Sequence, residues 1–91
     1  MILLLNKISL YSTFGVNDFD SLDGAINNMA PSMVEYYLSD LSNGIENIYL
    51  NKRNIQNSLN IGDFAIYLDY EDEIYLEISD EKEDFETSSL W

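Results

Sequence analysis

The chain contains no cysteine and no histidine, and only four of its residues are lysine or arginine. Without cysteine there are no disulfides and no thiolate metal sites. Without histidine there is no imidazole base and no nucleophile–histidine pair. A thiol-free chain is compatible with the reducing cytosol. Long apolar runs are also missing. Met1-Ile2-Leu3-Leu4-Leu5 is closed by Asn6 and Lys7, whereas a secretory signal places a basic region ahead of roughly 7–15 apolar residues. A membrane span needs roughly 18 or more. The expectation is a soluble, cytoplasmic protein. So few cations also argue against direct binding of nucleic acid or of an anionic membrane, and Lys52-Arg53 is too short a basic patch to change that.

What is present is apolar material and negative charge. Hydrophobic residues make up 46% of the 91 and aromatics 13%, too many for a disordered acidic tail. The length suits one modest core. Seventeen acidic residues against four basic ones give a net charge of −13, where a small domain needs only about 2–8 for solubility. Such an excess destabilises the compact state by self-repulsion. It also makes a basic protein surface the natural partner.

Along the chain, residues 2–11 are rich in Leu and Ile and read as a first strand. Gly15 and Asn17-Asp18 mark a turn. Phe19, Leu22, Ile26 and Met29 then share one face of a short helix, with Asp18 near its start. After Pro31, Ser32 and Glu35 have the spacing of a capping box. Val34, Tyr37, Leu38 and Leu41 form the apolar stripe of a second helix, stopped by Asn43-Gly44. Residues 45–51 read as a strand and 52–62, polar and Asn-rich, as a loop. Residues 64–70 and 74–78 form a hairpin through Glu71-Asp72-Glu73. Phe64, Ile66, Leu68, Ile74, Leu76 and Ile78 occupy one face, and Ala65, Tyr67, Asp69, Tyr75 and Glu77 the other. The predicted class is α+β, an antiparallel sheet of three to four strands with two short helices on one face. A single compact domain is expected over 1–79, followed by an acidic, flexible tail over 80–91.

Eleven of the seventeen carboxylates fall between Asp63 and Glu86. Tyr67, Asp69, Glu71, Asp72, Glu73, Tyr75 and Glu77 form the candidate centre of a contact face, extended by Asp80, Glu81, Glu83 and Asp84 in the tail. Spaced anions suit the Arg and Lys side chains that otherwise hold phosphates, and tyrosine adds flat area and cation–π faces. The plain alternative is a solvated face whose charges guard a strand edge. Calcium is disfavoured: in a loop begun at Asp69, the sixth position is Ile74, where the sharp turn demands glycine. Catalysis by paired carboxylates is disfavoured because these acids cluster on a surface, with no apolar cleft to raise a pKa. No metal, cofactor or enzymatic activity is expected.

By its size, its lack of cysteine, its acidity and the carboxylate-and-tyrosine hairpin at 63–78, the chain resembles the small acidic inhibitors that phages and mobile elements use against host nucleases. These include anti-CRISPR and anti-restriction DNA mimics. The likeness is compositional and spans the whole chain. Members of that class share no common fold, so it transfers no functional residue. It implies occupation of the DNA- or RNA-binding groove of a basic nuclease or effector, in the host cytoplasm if the protein is phage-encoded. Immunity proteins that neutralise a cognate nuclease toxin share the same traits and form the alternative. A third reading is an acidic subunit that solubilises a basic partner. An exposed strand edge at 73–79, pairing with its own copy as a homodimer or with a partner's sheet, is also compatible with the sequence.

Overall fold

A computed structural model describes residues 1–50 and 54–79. The elements run β1 (Ile2–Leu5), α1 (Lys7–Phe14), α2 (Phe19–Asn27), α3 (Pro31–Ser42), β2 (Ile55–Ile61), β3 (Phe64–Asp69) and β4 (Ile74–Ile78). The strands form one antiparallel sheet in the order β1-β4-β3-β2. Fold class and strand number follow the sequence reading, but the described residues form three helices where two were expected. The proposed tail, with Asp80, Glu81, Glu83 and Asp84, lies outside the described residues.

The additional helix comes from a correction at the N-terminus. Residues 2–11 are not one strand. The Asn6 side chain accepts hydrogen bonds from the backbone N–H of Ile8 (2.9 Å) and Ser9 (3.1 Å), which ends β1 and caps α1. At the other end Gly15 adopts φ 68°, and the Val16 N–H reaches back to the Tyr11 carbonyl, closing the helix with a left-handed cap. A Leu- and Ile-rich stretch conceals this break, because α1 is barely amphipathic. Leu10 is fully buried while Ile8 is 77% exposed.

α2 begins as the spacing predicted, with Asp18 accepting from the Ser21 N–H at 2.7 Å. α3 does not begin at a capping box. Ala30 is its N-cap and makes no side-chain cap bond, while Pro31 occupies the first turn, where its fixed φ and missing N–H carry no penalty. That shift moves Ser32 inside the helix. Of the expected stop, Gly44 is left-handed (φ 79°) but Asn43 is extended.

The second half holds two further corrections. Residues 45–50 form no regular strand. A single bridge joins Asn47 to Leu3, and the Ile48 N–H donates to the Ile2 carbonyl, so this segment lies along the outer edge of β1. Conversely, most of the expected loop 52–62 is strand β2. Its polar residues disguised it, because only Ile55, Leu59 and Ile61 are even half-buried. The Gly62-Asp63 link turns β2 directly into β3, with Ile61 opposite Phe64. Gly62 has φ 56° and lies against the Glu35 carboxylate of α3, so a side chain here meets both backbone strain and a clash.

The helices cover one face of the sheet. Leu10, Phe19, Leu22, Ile26, Val34 and Leu38 pack on Leu3, Leu5, Ile66, Leu68, Ile74 and Leu76 in one core. Their inward positions on β3 and β4 are those that alternation predicted. Among the described residues, no helix is long and apolar enough to cross a membrane.

Candidate functional site

The β3–β4 hairpin sets the geometry of the predicted contact face. Phe64 pairs with Ile78, Ala65 with Glu77, Ile66 with Leu76, Tyr67 with Tyr75 and Leu68 with Ile74. Tyr67, Tyr75 and Glu77 therefore share the sheet face away from the helices, as expected.

Asp69 has a different task. It is only 5% exposed, and its Oδ1 accepts from the backbone N–H groups of Glu71 and Glu73, both at 2.9 Å. The Asp69 backbone is held as well, its N–H donating to Glu73 and its carbonyl accepting from Asp72. Asp72 takes φ 63°, a left-handed conformation that aspartate tolerates better than most side chains. Asp69 is thus the internal brace of the turn and does not present its charge outward. The bracing is local, but alternation alone placed this residue on an open face.

Braced in this way, Glu71, Asp72 and Glu73 project from the tip and are exposed. The tertiary structure brings two distant acids to the same end. A groove of about 510 Å³ is lined by Lys7, Tyr11, Asp18, Asp20 and Asp72, with Gln56, Asn57 and Leu68 of the sheet. The α2 N-terminus and the hairpin tip are therefore neighbours. Burial raises the Tyr11 hydroxyl pKa, and the negative charges of Asp18 and Asp72 raise it further. Asp18 itself is held below the usual carboxylate range, chiefly by the backbone N–H of Ser21 that it caps. No local signal in the sequence joins residues 18 and 72, which meet only because α2 packs beside the hairpin.

At the other end, the Tyr67 hydroxyl donates to Glu77 Oε1 across the strand pair. That bond, followed by burial and the Glu77 charge, pushes the Tyr67 pKa up to about 12. Both residues line a cleft of about 480 Å³ with Asn60, Asp63 and Ala65. Tyr75 is half-buried, and its pKa is raised by burial and then by Asp69, Glu73 and Glu71. The predicted face is therefore divided: an acidic tip at one end, a tyrosine–carboxylate pair near the other and Tyr75 between them.

Among the described residues, no group of three or more His, Cys, Asp or Glu is placed to hold a metal ion. Asp69, first in the calcium-loop reading, spends one oxygen on its own turn amides. No family model, curated protein or solved structure matches the chain.

Proposed function

We propose that the protein is a binding module, not an enzyme, which blocks a basic nucleic-acid-binding protein by occupying its DNA or RNA site. The observation that carries this reading is the acidic end. Glu71, Asp72 and Glu73 stand exposed at the hairpin tip beside Asp18 and Asp20, with Lys7 the one lysine or arginine among the described residues. Such an array is attractive to the Arg and Lys side chains of a phosphate-binding groove, and a net charge of −13 steers the encounter from a distance. The turn braced by Asp69 holds the three tip residues in place before binding, which lowers the ordering cost of association.

The test uses the full chain, immobilised and presented with basic nucleic-acid-binding proteins of its host at low salt. Expected is retention of a target that high salt and competing duplex DNA or RNA both release, and whose nucleic-acid activity the soluble protein inhibits. Glu71→Lys with Glu73→Lys should weaken that retention by well over about tenfold, since both side chains are exposed and neither braces the turn. Retention unaffected by the double variant or by nucleic acid would refute the reading. Capture of a single toxin nuclease, covered away from its nucleic-acid site, would instead select an immunity protein.

A further inference from the structure

The two edges of the sheet are treated differently. β1 is covered by the segment around Asn47, through the Leu3 bridge and the bond from Ile48 to Ile2. β4, expected to offer an edge at 73–79, lies between β1 and β3 and offers none. Among the described residues, β2 is the open edge. The hydrogen-bond ladder shows which of its groups point outward. The Ser79 N–H donates to the Asp63 carbonyl and the Asp69 N–H to Glu73, so odd-numbered residues of β3 face β4. Even-numbered ones face β2, where they pair with Asn57, Leu59 and Ile61. Ser58 and Asn60, between them, direct N–H and C=O away from the sheet, and both are exposed.

An open edge is a template for another strand, and proteins ordinarily guard one with Lys, Pro or inward-pointing charge. β2, Ile-Gln-Asn-Ser-Leu-Asn-Ile, has none of these in a chain with 21 charged residues (17 acidic, 4 basic). We infer that β2 is a self-association edge, on which a second copy of this chain pairs antiparallel to continue the sheet across a two-fold axis. The distribution of charge selects this occupant. β2 itself carries no carboxylate. Acids border both its ends, Asp18, Asp20 and Asp72 beside Gln56 and Asn57, and Asp63 and Glu77 beside Asn60. Two bodies of −13 nevertheless meet with less repulsion at its middle than at the acidic end. A basic partner would be drawn to the acidic groove, which only the first half of β2 borders. Pairing would leave both acidic tips open, with the exposed Ser58 and Asn60 at the centre of the new ladder.

The experiment is sedimentation of the full chain from about 10 µM to about 1 mM, at low and at high salt. Expected is a reversible dimer of twice the 10.5 kDa chain mass, strengthened by salt because the repulsion between copies is screened. This salt response is opposite to that of the proposed acidic–basic complex, so the two ideas fail separately. Two variants localise the interface. Asn60→Pro removes an outward N–H, and Ser58→Glu with Asn60→Glu sets like charges across the axis. Each should leave a folded monomer by far-UV dichroism. In the thiol-free chain, Ser58→Cys with Asn60→Cys should oxidise to a covalent dimer, because residues opposed in such a ladder lie within disulfide reach. A chain that stays monomeric throughout, or a dimer that survives both edge variants, would overturn the inference.

Discussion

Replacing Asp69 tests whether the hairpin tip is built as described. Its Oδ1 holds the N–H groups of Glu71 and Glu73 at 2.9 Å each, in a residue that is 5% exposed. Hydrogen bonds to a charged group contribute about 1.5–3 kcal/mol each. In Asp69→Ala water recovers part of that, because Glu71 and Glu73 are themselves exposed. Relief of repulsion from Glu71, Asp72 and Glu73 offsets a further fraction. The expected net loss is about 2 kcal/mol, out of a total stability of roughly 5–14 kcal/mol for a domain of this length. In a thermal melt followed by far-UV dichroism this lowers Tm by roughly 8–16 °C. Asp69→Asn keeps an acceptor oxygen and should lose only about half as much. Asp69→Ala within about 0.5 kcal/mol of the parent would show that the turn does not depend on this brace. If Asn and Ala were equally harmful, the loss would belong to the charge and not to the acceptor geometry.

Other consequences of the structure can be measured as directly. Absorbance titration should show a tyrosine component ionising at about pH 12 that Tyr67→Phe removes, since Glu77 accepts the neutral hydroxyl's proton in a hydrogen bond. Because this folded pKa lies above the ordinary 10.0, the linked stabilisation is fully present below about pH 10 and is lost as pH rises through about 12. Asp18 has the opposite sign: its lowered pKa stabilises the fold above the ordinary value of 3.8 and is lost on acidification below it, a dependence that Asp18→Asn should remove. Gly62→Ala should cost about 1–2 kcal/mol from its left-handed φ of 56°, with a further steric part that Glu35→Ala relieves in the double variant, measured by urea unfolding. Asn6→Ala should cost about 1 kcal/mol by the same assay, through loss of the α1 cap.

The sequence was most legible where local chemistry and burial point the same way. In β3 and β4, alternation assigned the inward set correctly, because a strand has a period of two and one face meets the core. The Asp18 cap was readable because a capping residue acts on amides only a few positions away. Reading failed where burial is one-sided or shared. β2 is an edge strand held by backbone ladder bonds, which a polar sequence such as Gln56-Asn57-Ser58 can make as well as an apolar one. Residues 45–50, with two Ile, a Tyr and a Leu, look like a strand but reach the sheet through a single bridge.

By itself, then, the sequence determined the class of this protein: one acidic α+β body with a carboxylate-rich hairpin, since charge, alternation and capping are properties of short stretches. Only the tertiary structure decided which acids share a surface. Asp18 and Asp72 line one groove, while Asp69 turns inward to its own amides. Packing likewise decided which edge is left open, enclosing β4, covering β1 and leaving β2 at the rim. The physical reason is the same in each case. Proximity between distant segments is set by how helices and strands bury their apolar faces together, and no local pattern of residues encodes that arrangement.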